Sequence, residues 1–247
     1  NVKTTLGCIR RADEDFHMIQ PGDRIGVGVS GGKDSLLLLR ALALYRYVRH
    51  HDFTMTALML TMGREKPDTS ALEAYAAEVG VPIHIEHTDI YEILFDIRKD
   101  KHPCALCAKM RRGSLHTALR EAGIHKVALG HHYDDAVETF FLSLFYEGRL
   151  SCFHPVTYLD RMDITQIRPL LYVSEAMVRE AAQRLQLPVV HNPCPADGAT
   201  KRQEVKDLIA GLQGQYPKLK EYTFAAMQRL PLPGWEVEDL RRRPRTE

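Results

Sequence analysis

Short apolar runs of strand length alternate along this chain with longer segments whose apolar positions recur at helical spacing. DRIGVGVS (23–30) is a β-branched run ending among glycines, and DSLLLLRALALYRYVRH (34–50) has helical length and periodicity. FTMTALMLTM (53–62) reads as a second strand, and DTSALEAYAAEVG (68–80) as a helix opened by Asp, Thr and Ser and closed by Gly. VPIHIEHT (81–88) is a third strand, ALCAKMRRGSLHTALREAG (105–123) a helix, HKVALGHH (125–132) a fourth strand and DDAVETFFLSLFYEG (134–148) its helix. FHPVTYLDRMDITQIRPL then predicts a hairpin around Arg161-Met162, SEAMVREAAQRLQ a helix, and LPVVHN a last strand. Strands alternating with helices imply an α/β fold, a doubly wound parallel sheet of about five strands. Such sheets bind ligands beyond the carboxyl ends of their strands, where strand order reverses. From Lys201 onward the chain is polar and helical, with Pro217, Pro231 and Pro233 as breaks and RRRPRTE as a basic tail. The expected division is an N-terminal segment (1–22), a ligand-binding domain (23–212) and a helical C-terminal segment with the tail (213–247).

With 247 residues the chain can bury a full core. The net charge of +1 carries no global excess of positive charge, so any footprint for nucleic acid is local. The longest apolar run, Leu36 to Leu39, is cut by Arg40 and is far too short to span a bilayer. NVKTTLGCIRRADEDF lacks the apolar core of a signal peptide, and a cytoplasmic protein with no membrane partner is expected. Five cysteines, an odd number, do not read as a secreted disulfide framework.

The stretch VSGGKDS (29–35) raises the question of chemistry. Gly26-Val27-Gly28-Val29-Ser30-Gly31 satisfies G-x-G-x-x-G, but a dinucleotide fold wants an acidic residue ending the second strand. That strand ends Leu60-Thr61-Met62-Gly63, with no acid before Glu65. The G-x-x-x-x-G-K-[ST] loop fails because Asp34 stands between Lys33 and Ser35. What remains is still suited to phosphate. Gly31 and Gly32 let backbone amides approach an anion, the following helix start favours negative charge, Ser30 and Ser35 offer hydroxyls, and Lys33 supplies a point charge. Asp34 has two readings, a helix cap or a ligand to a divalent cation bridging it to phosphate.

Cys104-Ala105-Leu106-Cys107 places two sulfurs at i, i+3, able to share one ion or cluster. Zinc with His102 in a mixed site stays open. Cys194, in HNPCPADG, follows the last predicted strand and belongs to the same rim; three thiolates around a four-iron cluster leave one iron for a sulfide or a substrate atom. Asp134 and Asp135 stand where ALGHH gives way to a helix. They are either first-turn acids or groups that order magnesium (Mg2+) or handle a proton. Gly130 would let the backbone pass close to a nucleotide, and His131 or His132 could touch phosphate or simply pack. Lys109, Arg111 and Arg112 form either a solvated basic face or a set of phosphate neutralisers. Arg241, Arg242, Arg243 and Arg245 are a solvated end or an RNA contact, and Cys8 and Cys152 have no spaced partner.

SGGKDS after the first strand resembles the PP-loop of the ATP enzymes that release pyrophosphate while adenylating a carbonyl oxygen, the adenine nucleotide α-hydrolase type. Joined in order by CALCAKMRRG, GHHYDDAVETFFLSLFYEG, IRPLLYVSE and NPCP, it resembles the tRNA 2-thiocytidine synthetase family from about Asp23 to about Asp207. The resemblance makes 23–212 an ATP-binding and iron-sulfur catalytic domain. It implies a [4Fe-4S] cluster on Cys104, Cys107 and Cys194, and pyrophosphate on Ser30 to Ser35. It also implies adenine against the backbone from Leu60 to Met62; beside such a nucleotide, Gly130 is expected along the adenosine and Lys33, Arg111, Asp134 and Asp135 are the expected catalytic residues, with ATP and magnesium. The implied partners are tRNA and a sulfur donor, either sulfide or a cysteine desulfurase system, and such enzymes often form homodimers. Related 2-thiouridine synthetases add zinc-binding cysteine clusters that this chain lacks. The rival readings are a PP-loop sulfurtransferase or ligase for another nucleoside or a small molecule, and a nucleotide- or RNA-binding module without turnover.

Overall fold

The computed structural model describes residues 2–49, 52–63, 67–98, 103–190, 200–229 and 232–235. In chain order its elements are α1 (Val2–Phe16), β1 (Asp23–Val29), α2 (Lys33–Arg49), β2 (Phe53–Thr61), α3 (Ser70–Glu78) and β3 (Ile83–His87). A π-helical turn over Glu92–Ile97 precedes α4 (Cys104–Glu121), β4 (Lys126–Ala128) and α5 (Tyr133–Leu142), which widens into a second π turn over Ser143–Glu147. The chain continues through β5 (Val156–Leu159), β6 (Ile164–Ile167), α6 (Glu175–Arg184), α7 (Lys201–Gln213) and α8 (Leu219–Arg229).

The strands form one sheet in the order β3-β2-β1-β4-β6-β5. All pairings are parallel except β5 with β6. Strand order reverses between β1 and β4, so a crevice opens above Val29 and Ala128 at the carboxyl ends of the strands.

The sheet therefore has six strands, not about five. Both arms of the predicted hairpin join it, Ile167 pairing with Ala128 and Val156 with Ile167. The expected strand LPVVHN is absent over its described part, Leu187 to Val190. This segment laps the glycine loop, and the Val190 amide donates to the Gly31 carbonyl at 3.0 Å. Its backbone bonding goes to a loop, so β-branched composition alone could not distinguish it from a ladder.

Two apolar layers sandwich the sheet. On one face α1, α2, α3 and α6 bury Ile9, Leu36, Leu42, Tyr75 and Val178 against Val27 and Ile167. On the other, Leu119 of α4 and Ile124 pack with Leu58 and Val127. A further cluster joins α5, α7 and α8 through Val137, Ile209 and Phe224, closed by the fully buried Trp235.

Candidate active site at the strand ends

The loop after β1 is built by its own polar groups. Gly31 adopts φ +80°, the left-handed region where a side chain is strained. Ser35 is the hub: its hydroxyl accepts from the Ser30 amide at 3.1 Å and donates to the Gly32 carbonyl at 2.9 Å. The Ser30 and Ser35 hydroxyl oxygens lie 3.2 Å apart. The serines shape the loop, and the amides at the start of α2, which no preceding helical turn satisfies, are the donors available to an anion. Lys33 Nζ lies 3.1 Å from Asp34 Oδ1 and 3.9 Å from Glu175 Oε1, so its charge is held at the loop between two carboxylates.

Asp34 Oδ1 is buried, with the Lys33 ammonium as its ion-pair partner and His132 Nε2 3.6 Å away. His132 caps α5. Its Nδ1 accepts from the Asp135 amide at 3.4 Å while Asp135 Oδ2 accepts from the His132 amide at 2.9 Å, a reciprocal capping box. A neutral ring accepting through Nδ1 carries its proton on Nε2, the edge facing Asp34. A ring of hydrogen-bond and charge contacts thus links the glycine loop to the first turn of α5.

The two adjacent aspartates part company here. Asp135 lines the crevice, with Arg202 Nη1 3.4 Å from its Oδ1. Asp134 is buried away from the crevice lining. Its Oδ2 accepts from the Glu175 amide at 2.6 Å, and its Oδ1 accepts from Lys220 Nζ at 2.7 Å. Burial works to raise the Asp134 pKa, but the bond from Lys220 and the Glu175 amide outweigh it and hold the carboxyl below its ordinary value.

The crevice encloses about 600 Å³. Its floor is the loop and strand ends, with Ser30, Asp34, Ser35, Leu60 and Gly130. One wall is a face of α4, Ala108, Arg111, Arg112 and Leu115, at the i, i+3, i+4 spacing that presents one stripe of a helix. Met62 stands outside the lining, and its carbonyl accepts from the Tyr91 amide at 2.8 Å, holding the approach to the first π turn. Gly130 is pressed against the loop, where an added Cβ would lie 3.2 Å from both Asp34 C and Ser35 N. Its missing side chain serves the packing of backbone on backbone.

The opposite wall is His131, Phe153, Gln166 and Arg168. His131 is largely buried against Phe153, ring centroids 5.1 Å apart. Burial first, then the charge of Arg168, pulls its pKa down to about 4, so the ring is neutral at physiological pH. Cys152 beside it is an unreactive thiol, its pKa pushed up to about 12 by burial.

Cys104 opens α4, one turn before Cys107, whose amide donates to the Pro103 carbonyl at 2.8 Å. The next turn carries the Arg111 wall. The Cys104 side chain, Cys194 and His102 lie outside the described residues, as do Arg241 to Arg245. Val190, four positions before Cys194 in sequence, is already bonded to the glycine loop. Among the described residues no three His, Cys, Asp or Glu side chains gather around one point as metal ligands. No described helix is long and apolar enough to cross a membrane.

Residues 8–211 match the PP-loop domain family. Over 223 residues, 89% of this chain and 83% of that protein, the sequence is 36% identical to the tRNA-cytidine(32) 2-sulfurtransferase of Pelobacter propionicus. The chain belongs to the PP-loop tRNA-cytidine 2-sulfurtransferase family. The enzyme of that name from Geobacter sulfurreducens is 36% identical over 231 residues, covering 91% of this chain and 89% of its own. Among solved structures, the U34-tRNA thiolase NcsA from Methanococcus maripaludis, with its [4Fe-4S] cluster, superposes with a TM-score of 0.76. It is 26% identical and covered over 94% of this chain and 80% of its own.

Within this PP-loop protein, the expected residues Ser30, Asp34, Ser35, Leu60, Arg111, Gly130 and Asp135 meet in one crevice, with Gly31, Gly32 and Lys33 forming the loop at its edge. Phe153, Gln166 and Arg168 were missed. The signal available for Arg168 was a lone cation just past a short strand with isoleucine at both ends, ITQIRPLL, at the rim where ligands bind.

Proposed function

We propose that this protein thiolates tRNA at the expense of ATP, converting the C2 carbonyl of an anticodon-loop cytidine, position 32 as in its relatives' names, to a thiocarbonyl. The observation that carries this reading is the crevice itself. One cavity joins the glycine loop to the α4 turn that follows Cys104 and Cys107, in a chain that is 36% identical to 2-sulfurtransferases over most of its length.

In this reading the loop amides and Lys33 hold the β and γ phosphates, and the apolar floor at Leu58 and Leu60 receives the adenine. The base leaves its stack to enter the crevice, which favours a single-stranded loop as substrate. Its O2 attacks the α-phosphorus, the bond to the bridging oxygen breaks, and pyrophosphate leaves. The oxygen of C2 is then part of an AMP leaving group. Hydrosulfide adds to C2 and loses its proton, the C2–O bond breaks, and AMP departs. The protein supplies placement and electrostatics: Arg111 and Arg112 face the phosphates, and Asp34 and Asp135 flank the position for magnesium or for a proton.

A [4Fe-4S] cluster fits the donor set. Cys104 and Cys107 share one helical turn beside the crevice, and the chain is carried to the loop at Val190, shortly before Cys194. Those three thiolates would hold it, and when bound it would supply a place for sulfur to be delivered to the crevice. The sulfur comes from sulfide or a cysteine desulfurase, and the enzyme works in the cytoplasm, with a homodimer as its assembly.

The test is incubation of anaerobically purified protein with ATP, sulfide and unmodified tRNA, followed by nucleoside analysis and a pyrophosphate assay. Thiocytidine with stoichiometric pyrophosphate is expected; absence of pyrophosphate release would leave only a binding module. Iron and sulfide should be found and zinc should not. Cys194→Ser should lose cluster and activity together, and an intact cluster in that variant removes Cys194 from the ligand set.

A further inference from the structure

Arg168 is only 6% exposed, yet it lines the crevice. Neutral acceptors seat its guanidinium. Nη1 donates to the His154 carbonyl and to Thr157 Oγ1 at 3.2 Å, and Nη2 donates to Gln166 Oε1 at 3.3 Å. The guanidinium carbon lies 4.9 Å from the centroid of the Phe153 ring. Nε has no hydrogen-bond partner, and among the described residues no carboxylate pairs with the group. Burial lowers its pKa to about 10, so it stays cationic at neutral pH.

A buried cation with no anion beside it is costly, and proteins keep such a group where a ligand supplies the charge. The seat is itself oriented. Gln166 Nε2 donates to His116 Nε2 at 3.0 Å, and His116 is buried, its pKa lowered by burial and then by Arg112. The neutral imidazole therefore accepts, which turns the Gln166 carbonyl oxygen toward Arg168. On the sheet, the glycine loop ends β1 and Arg168 follows β6, with β4 between them. Two strand spacings put the backbone ends of β1 and β6 roughly 10 Å apart, so a group reaching from the loop toward Arg168 crosses the end of β4.

We propose that Arg168 binds the α-phosphate of the nucleotide, and holds the adenylyl group after pyrophosphate has left the glycine loop. The seat lines the crevice shared with that loop, and Arg168 is almost wholly buried there, which favours a nucleotide phosphate over a phosphodiester of the tRNA backbone. The assignment rests on ATP being the nucleotide of the proposed reaction, and its test requires no thiolation.

The test is equilibrium binding of ATP, AMP, pyrophosphate and unmodified tRNA to the full chain and to Arg168→Met. AMP should bind about ten- to a hundredfold more weakly to the variant, with ATP weakened in parallel, because a charge-assisted pair is lost. Pyrophosphate and tRNA should bind within about twofold of wild type, since both avoid this seat. Unchanged AMP affinity overturns the assignment, and so does weakened tRNA with AMP unchanged, which would make Arg168 a backbone-phosphate contact. Should Arg168→Met not fold, Gln166→Leu keeps the charge but frees the fork. There AMP should weaken about threefold with pyrophosphate unaffected, and no change overturns the assignment. Failure of the wild type to bind ATP would overturn the proposed function itself, together with this assignment.

Discussion

Asp134 and Asp135 are neighbours in sequence with opposite tasks, and substituting Asp134 separates them. In Asp134→Ala, Lys220 Nζ loses its partner at 2.7 Å and the Glu175 amide loses its acceptor at 2.6 Å. The amide at the start of α6 is left without a cap, worth about 1 kcal/mol. Lys220 is a quarter exposed and can turn to water, so losing its partner costs about 1–2 kcal/mol, less than for a sealed pair. The sum is about 2–3 kcal/mol, which for a chain of this size lowers Tm by about 4–12 °C. Asp135→Ala loses only the capping box and an exposed contact with Arg202, about 1 kcal/mol, but removes a carboxylate from the crevice. Urea unfolding of both variants at pH 7, beside ATP-dependent thiolation at a temperature where both are folded, gives the comparison. Asp134→Ala should lose stability and keep most of its turnover; Asp135→Ala should do the reverse. A fully stable Asp134→Ala without activity would refute the structural role. Because the folded Asp134 pKa is lowered, its stabilisation is present above the ordinary aspartate pKa and is lost as pH falls through the folded value.

Gly130→Ala should push the added methyl into the backbone of Asp34 and Ser35, costing about 1–3 kcal/mol and weakening ATP binding. Gly113→Ala in α4, where a Cβ meets nothing within 4 Å, should be neutral or gain about 0.5–1 kcal/mol; calorimetry that fails to separate the two would count against the close approach. His131, depressed to about 4, should make stability fall between about pH 6.5 and pH 4, because the unfolded chain takes up a proton that the folded ring refuses. The full span is about 3 kcal/mol, with no contribution above that window, and His131→Asn should flatten the slope; an unchanged slope in urea titrations at several pH values would sink the idea.

What could be read from the chain was what local geometry and short-range chemistry dictate. The strand, glycine turn and helix around Ser30 to Ser35 announce themselves because left-handed backbone, hydroxyls and an anion-friendly helix start are adjacent in sequence. Leu187 to Val190 defeated the same reasoning: the run is β-branched, but its amide finds Gly31, far away along the chain. In α1 the helical stripe of Leu6, Ile9 and Phe16 was open to reading, yet its burial also depends on Asp13 accepting from Tyr45 at 2.9 Å. Arg168 could not be valued in advance, since its meaning comes from His154, Thr157, Gln166 and Phe153, gathered by the β5–β6 hairpin. The α5 capping box has a similar lesson, because His132 and Asp135 are close in sequence while Asp34, which the ring faces, is not.

Trp235 closes the cluster beyond α8, stacked edge-on against Phe224 at 5.2 Å, and its indole N–H donates to the Phe153 carbonyl at 3.0 Å. It is the sole tryptophan of the chain. The protein therefore carries a fluorophore one hydrogen bond behind the crevice wall. Its emission, excited apart from the tyrosines, reads out any movement of the Phe153 backbone as nucleotide enters, without a label attached to a cysteine that the chemistry needs.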